Sequence, residues 1–223
     1  MSVSQEFAYP KVIDGICQLD WRGQNTEAMV SVAWAYYYFS IQFRENLEIA
    51  RKLYPEDIKL QQLEREECNT ANLSPWPGVA TDGEAMNHDE YMRRTLALLP
   101  IPSERAAHLT AIGQAYLADT RAHPNAARAA SIASYEDGGL EAVFKAILDF
   151  AQWDGALLLS FEHFLAEHVR FDSDPDQGHG ALSRHIPIDD AVLPLWQGFF
   201  DLLLTSVPSL SRTHVSELAL ASN

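Results

Sequence analysis

The chain has 223 residues, 47% of them hydrophobic, and a formal net charge of −15. This length fits one domain, this composition excludes a disordered tail, and this charge excludes binding to a nucleic-acid backbone, which needs clustered Lys and Arg. Cys17 and Cys68 lack a CxxC spacing and exclude a disulfide framework. No stretch approaches a membrane-spanning apolar run, and MSVSQEFAYPK is not a signal peptide, so the expected setting is cytoplasmic, with no membrane partner.

Residues 1–25 are predicted to be irregular, punctuated by Pro10, Gly15 and Gly23. A long helix is predicted over Thr26 to Leu53, capped by Asn25 or Thr26 and stopped before Pro55. Its middle, VAWAYYYFSIQF, is apolar nearly all round and predicts burial. Most of its tyrosines are core residues by this pattern, with Tyr37 a candidate to touch a ligand.

The next helix is predicted over EDIKLQQLEREECNTANL, with Pro55 in its first turn. Leu60, Leu63 and Glu67 follow three/four spacing, which puts Glu67 on or beside the buried stripe, with Glu64 its competitor and Glu66 facing water. A carboxylate on an apolar face needs a partner, and a metal ion is one. SPWPGVATDG is a loop; a helix over Glu84 to Leu99 then carries His88 with Arg93 and Arg94. Ser103 is predicted to cap a helix reaching about Ala122, followed by an alanine-rich stretch that reads as short helix or loop. Glu136 precedes Gly138 and Gly139, after which Leu140, Val143, Phe144, Ile147 and Leu148 make an apolar face.

The most informative stretch runs from Phe161 to His185, FEHFLAEHVRFDSDPDQGHGALSRH, on a helix predicted to begin near Asp154. His168 and Asp172 are four apart and share one helix face, a pairing of imidazole and carboxylate suited to a first-row transition metal. SDPDQG breaks the helix, and His179 opens GHGAL beyond the break. A last helix is predicted over Asp189 to Thr205, and residues 208–223 as a frayed tail. No strand alternation appears. The fold class is all-α, a single-domain bundle of about seven helices.

The order Glu67, His88, Glu136, then His168, Asp172 and His179 resembles that of the haem-oxygenase-like diiron oxidases and oxygenases. These are helical proteins related to haem oxygenase and to the thiaminase-like fold. HVRFD…HGAL is similar to the HIELD…HG stretch of some relatives, and Glu136 lies 32 residues before His168, near where they carry a lone Glu. The resemblance covers about residues 26–205. It implies two iron ions, or manganese, held by those six residues, with dioxygen, a small metabolite and an unspecified electron donor as partners. The implied reactions are N-oxygenation, oxidative C–C cleavage or desaturation of an amine, amino acid or fatty acid.

Two departures from the family pattern keep alternatives open. His179 comes late after His168, which leaves His185 and His163 as substitutes. Glu67 stands far from His88, which leaves Glu64 and Glu84. Arg44, Arg93 and Arg94 are candidates to hold a substrate carboxylate. Competing functions are a metal-free, thiaminase-like hydrolase using Cys68, and a non-enzymatic helical interaction module. Haem degradation needs an axial His near the N-terminus, whereas the first His here is His88. Apolar helix faces are compatible with a homodimer.

Overall fold

The first helix stands where punctuation predicts irregular chain. Pro10 occupies the opening turn of α1 (Tyr9–Cys17), the part of a helix where its missing N–H costs nothing, and Ile13 and Ile16 bury one face. The computed structural model describes residues 8–172 and 178–211, with Asp172 described in its backbone alone. Asn25 then accepts the N–H of Ala28 at 2.8 Å and starts α2 (Thr26–Leu53), with the boundaries its sequence predicts. Met29, Val32, Phe39 and Leu47 of α2 are fully buried. An element buried on most sides has to be wrapped by others, and α2 is the centre of the fold.

Asp57 caps α3 (Ile58–Glu67) by accepting the N–H groups of Lys59 and Leu60 at 3.0 and 3.1 Å. The helix starts after Pro55 and stops at Glu67, short of the predicted NTANL: Cys68 is extended and Asn69 takes φ 50°. Glu67 is thereby the last helical residue. The following helix, α4 (His88–Ala97), begins four residues later than predicted, because the Glu84 carboxylate closes the preceding loop by accepting the Thr81 N–H at 2.9 Å.

The helix α5 (Ser103–Ala122) has its predicted span, although Pro102, not Ser103, is the cap residue and no side chain caps it. The alanine-rich stretch is α6 (Asn125–Glu136). Gly138, at φ 87°, turns the chain into α7 (Gly139–Ile147), a conformation open to Gly at no steric cost. The chain continues through α8 (Ala156–Asp172), α9 (His179–Ser183), a 3-10 turn at Asp190–Val192 and α10 (Leu193–Ser206). A further 3-10 turn, Pro208–Ser211, buries Leu210, so the ordered chain runs past the predicted start of the tail.

Ten α-helices and no strand occur among the described residues, rather than about seven helices. The surplus is α1, α6 and α9, two short and one with too little apolar contrast to stand out by pattern. The helices α4, α5, α6, α8 and α10 all pack on α2, while α3 packs on α9 and α9 on the end of α6. Tyr36 of α2 sits among Phe39, Phe144, Phe161 and Phe164, with ring centroids 5.3–5.7 Å apart. This aromatic knot is the floor beneath the buried polar cluster described next.

Candidate metal centre

Five helix-borne side chains meet at one buried point. Glu67 closes α3, His88 opens α4, Glu136 closes α6, His168 lies within α8 and His179 opens α9. Each is between 4% and 7% exposed, so none can rely on water to satisfy it. Burying this many ionisable groups together is costly unless they neutralise one another or bind an ion.

Hydrogen-bond partners fix the state of two of the imidazoles. His168 Nδ1 lies 2.7 Å from the Phe164 carbonyl, one turn back on α8, so that nitrogen carries the proton and donates it. Its Nε2 lone pair then faces His88 Nδ1 at 3.1 Å. His88 Nε2 lies 3.2 Å from Asn72 Oδ1, and Asn72 is oriented by its own Nδ2 donating to the Glu66 carbonyl at 2.9 Å. His88 Nε2 therefore donates, which turns Nδ1 toward Glu67 Oε2 at 2.8 Å. Three ligand atoms, one each from Glu67, His88 and His168, lie within 4.8 Å of one another. With both imidazoles neutral, all three are acceptors. Something positive has to stand among them, either a proton or a metal ion.

The same carboxylate serves a second group. Glu67 Oε1 has no hydrogen-bond partner of good geometry and lies 3.0 Å from His179 Nδ1. Glu136 Oε2 is 3.4 Å from that nitrogen, and Glu66 Oε2 is 3.4 Å from His179 Nε2. Glu67 thus stands between two lobes, His88 with His168 on one side and His179 with Glu136 on the other.

Electrostatics holds His168 and Glu67 in the protonation states that ligands need. Burial, reinforced by repulsion from His88, pushes His168 down to about 3, so it is neutral at physiological pH. Burial works to raise Glu67, but the His88 and His179 imidazoles more than offset it and hold the carboxyl well below the usual range. His179 likewise lowers Glu66. Cys68, beside Glu67, is driven the other way: burial, then the carboxylates of Glu67 and Glu64, push its thiol up to about 12.

The remaining candidates are placed as follows. The Asp172 side chain lies outside the described residues. Glu64 accepts from Arg51 at 3.0 Å, and Glu84 pairs with Arg94 at 2.7 Å. His163 stacks on Trp76 at 4.4 Å, and His185 contacts Asp57. Each of these four alternatives has a local partner of its own. Arg93 is bound to Glu90, and Arg94 to Glu90, Glu84 and the Val79 carbonyl, so neither extends to the cluster. Tyr37 packs on Tyr38 at 5.0 Å, outside the pocket that Tyr36 lines.

Sequence reasoning missed Asn72, which sits in an irregular loop without a pattern to mark it. It also assigned Glu66 to water, whereas this side chain is 36% exposed and reaches His179. A narrow crevice, with room for only a water or two, adjoins the cluster and is lined by Tyr36, Phe144, Phe164, Arg44 and Asp89. No helix among the described residues is long and apolar enough to cross a membrane. Comparison with models of known protein families, with characterised proteins and with solved structures finds no match.

Proposed function

We propose that this protein is a non-haem dinuclear iron oxidase or oxygenase of haem-oxygenase-like fold, acting on a small metabolite. The observation that carries the reading is the set of three mutually facing acceptors, Glu67 Oε2, His88 Nδ1 and His168 Nε2, in a buried site. Imidazole and carboxylate together suit iron or manganese, and the fixed Nδ1–H of His168 and Nε2–H of His88 are the outer hydrogen bonds that hold ligating imidazoles in place. Glu67, His88 and His168 would hold one ion; Glu67, Glu136 and His179 would hold a second, with Asp172 added by the family resemblance. Two iron ions, when bound, would supply the activation of dioxygen.

The chain's own contribution is position and dryness. Asn72 and the Phe164 carbonyl set the ring orientations; Tyr36, Phe144 and Phe164 line the pocket and exclude water from it. The Cys68 thiol, pushed up to about 12, stays protonated at neutral pH and counts against the metal-free hydrolase.

Anaerobic titration with iron(II), followed by metal quantification and absorption spectroscopy on adding dioxygen, tests the proposal. Two equivalents should bind in the wild type, and His168→Ala should lose at least one. A protein that binds no divalent metal, or binds it equally well in His168→Ala, has a proton among those acceptors instead.

A further inference from the structure

Each imidazole of the cluster turns one nitrogen inward and the other toward a neighbour outside it. The outer neighbour of His168 is the Phe164 carbonyl, and that of His88 is Asn72. For His179 the outward nitrogen is Nε2, and Glu66 Oε2 stands 3.4 Å from it. The other Glu66 oxygen, Oε1, accepts from Gln62 Nε2 at 2.8 Å, one turn back on α3, which leaves Oε2 to the imidazole. An ionised carboxylate can only accept, so Nε2 carries the proton and the Nδ1 lone pair faces inward. There Nδ1 meets Glu67 Oε1 at 3.0 Å and Glu136 Oε2 at 3.4 Å.

Packing fixes this ring less closely than its counterpart. His168 stacks on Phe164 with centroids 4.1 Å apart, whereas His179 lies 6.2 Å from Phe171 at a 38° tilt. His179 also opens a helix of five residues, too short to hold its own shape. Glu66 stands behind both lobes: its carbonyl oxygen accepts from Asn72, which holds His88, while its carboxylate faces His179. We infer that Glu66 is the residue that positions His179, its carboxylate fixing the tautomer so that Nδ1 points between Glu67 and Glu136, where the second ion would sit. That last clause rests on the dinuclear reading above. Of the three outer partners, a carbonyl, an amide and a carboxylate, only Glu66 carries charge, and a carboxylate there makes the imidazole a more basic ligand.

The first measurement needs no metal. Long-range proton–nitrogen NMR spectra of the full chain, chelated and held at pH 8, report which nitrogen of each imidazole carries the proton, with His179→Gln assigning the His179 signals. His179 should carry its proton on Nε2 in the wild type and in Glu66→Gln, which keeps an acceptor there. Glu66→Ala should turn it into a mixture of tautomers and leave His88 and His168 unchanged. The second measurement is anaerobic iron(II) titration of the wild type and both Glu66 variants. Glu66→Ala should weaken the second equivalent about 10- to 100-fold and spare the first, and Glu66→Gln should restore part of the loss.

Three outcomes overturn the assignment: a neutral wild-type His179 protonated on Nδ1, a tautomer unmoved in Glu66→Ala, or equal weakening of both iron equivalents. A wild type that shows the Nε2 tautomer but binds no second ion upholds the role of Glu66 on His179 and refutes the dinuclear reading instead. If Glu66→Ala fails to fold by circular dichroism, the tautomers of the wild type and of Glu66→Gln decide the question.

Discussion

Gly180 lies so close to the carbonyl oxygen of Glu136 that a Cβ added there would come within 2.9 Å of it. This approach brings the start of α9 onto the end of α6, and it is what sets His179 beside Glu136 and Glu67. Gly180→Ala should force the two helix ends apart. Overpacking of this kind costs about 1–3 kcal/mol, read by chemical denaturation. The same variant should bind one metal equivalent with near wild-type affinity and lose the other, because His88 and His168 do not depend on α9.

Asn72 touches no metal-facing atom, yet it fixes which nitrogen of His88 is free. Asn72→Ala should therefore weaken metal binding about 10- to 100-fold, the usual range when an outer hydrogen bond to a ligating imidazole is removed. Global stability should change far less. Competition against a chelating dye measures the first quantity and thermal unfolding the second. Equal affinity in the variant would show that the His88 ring is held by packing against Phe164 alone.

Asp57 caps α3 and also contacts His185, tying α3 to the segment after α9. Burial acts to raise its carboxyl, but His185 and the N–H groups of Leu60 and Lys59 outweigh this and hold it below the ordinary 3.8. A depressed carboxyl contributes stability that is present above its unfolded value and lost as pH falls through the folded one. Asp57→Asn keeps the cap but removes the charge, so wild type should be more stable than the variant by up to about 1 kcal/mol at pH 6. The gap should close as pH falls below 3.8. Urea denaturation at several pH values checks the sign.

Cys68 offers a direct measure of how dry and acidic this corner is. With its thiol pushed up to about 12, alkylation by iodoacetamide at pH 8 should run far slower than for a free cysteine, whose thiol titrates near 8.5. Cys68→Ala should leave metal stoichiometry unchanged. Rapid alkylation that abolishes an enzymatic activity would favour the hydrolase instead.

What could be read from sequence tracks periodicity. The central α2 was legible because 28 residues of apolar pattern end at a cap and a stop. Glu67 was legible because Leu60 and Leu63 mark the stripe it continues, and His168 because it sits on a long amphipathic helix. The choice between His179 and His185 was not, since α9 has five residues and too few turns to show a face. Glu66 is partly exposed, as its position on the helix predicts, and its contact with His179 comes from α9, which no local pattern places there. Asn72 reaches His88 across 16 residues of chain, which no local pattern encodes.

The helices that bear the buried cluster, α3, α4, α6, α8 and α9, are spread along much of the chain, with Glu67 at one end of the set and His179 at the other. During synthesis, a nascent chain that has emerged only through α6 holds Glu67, His88 and Glu136 but lacks His168, and its first lobe is incomplete. Under the proposed function, the first lobe would be complete only after α8 has left the ribosome and docked on α2. Metal loading would then follow folding of the chain instead of guiding it.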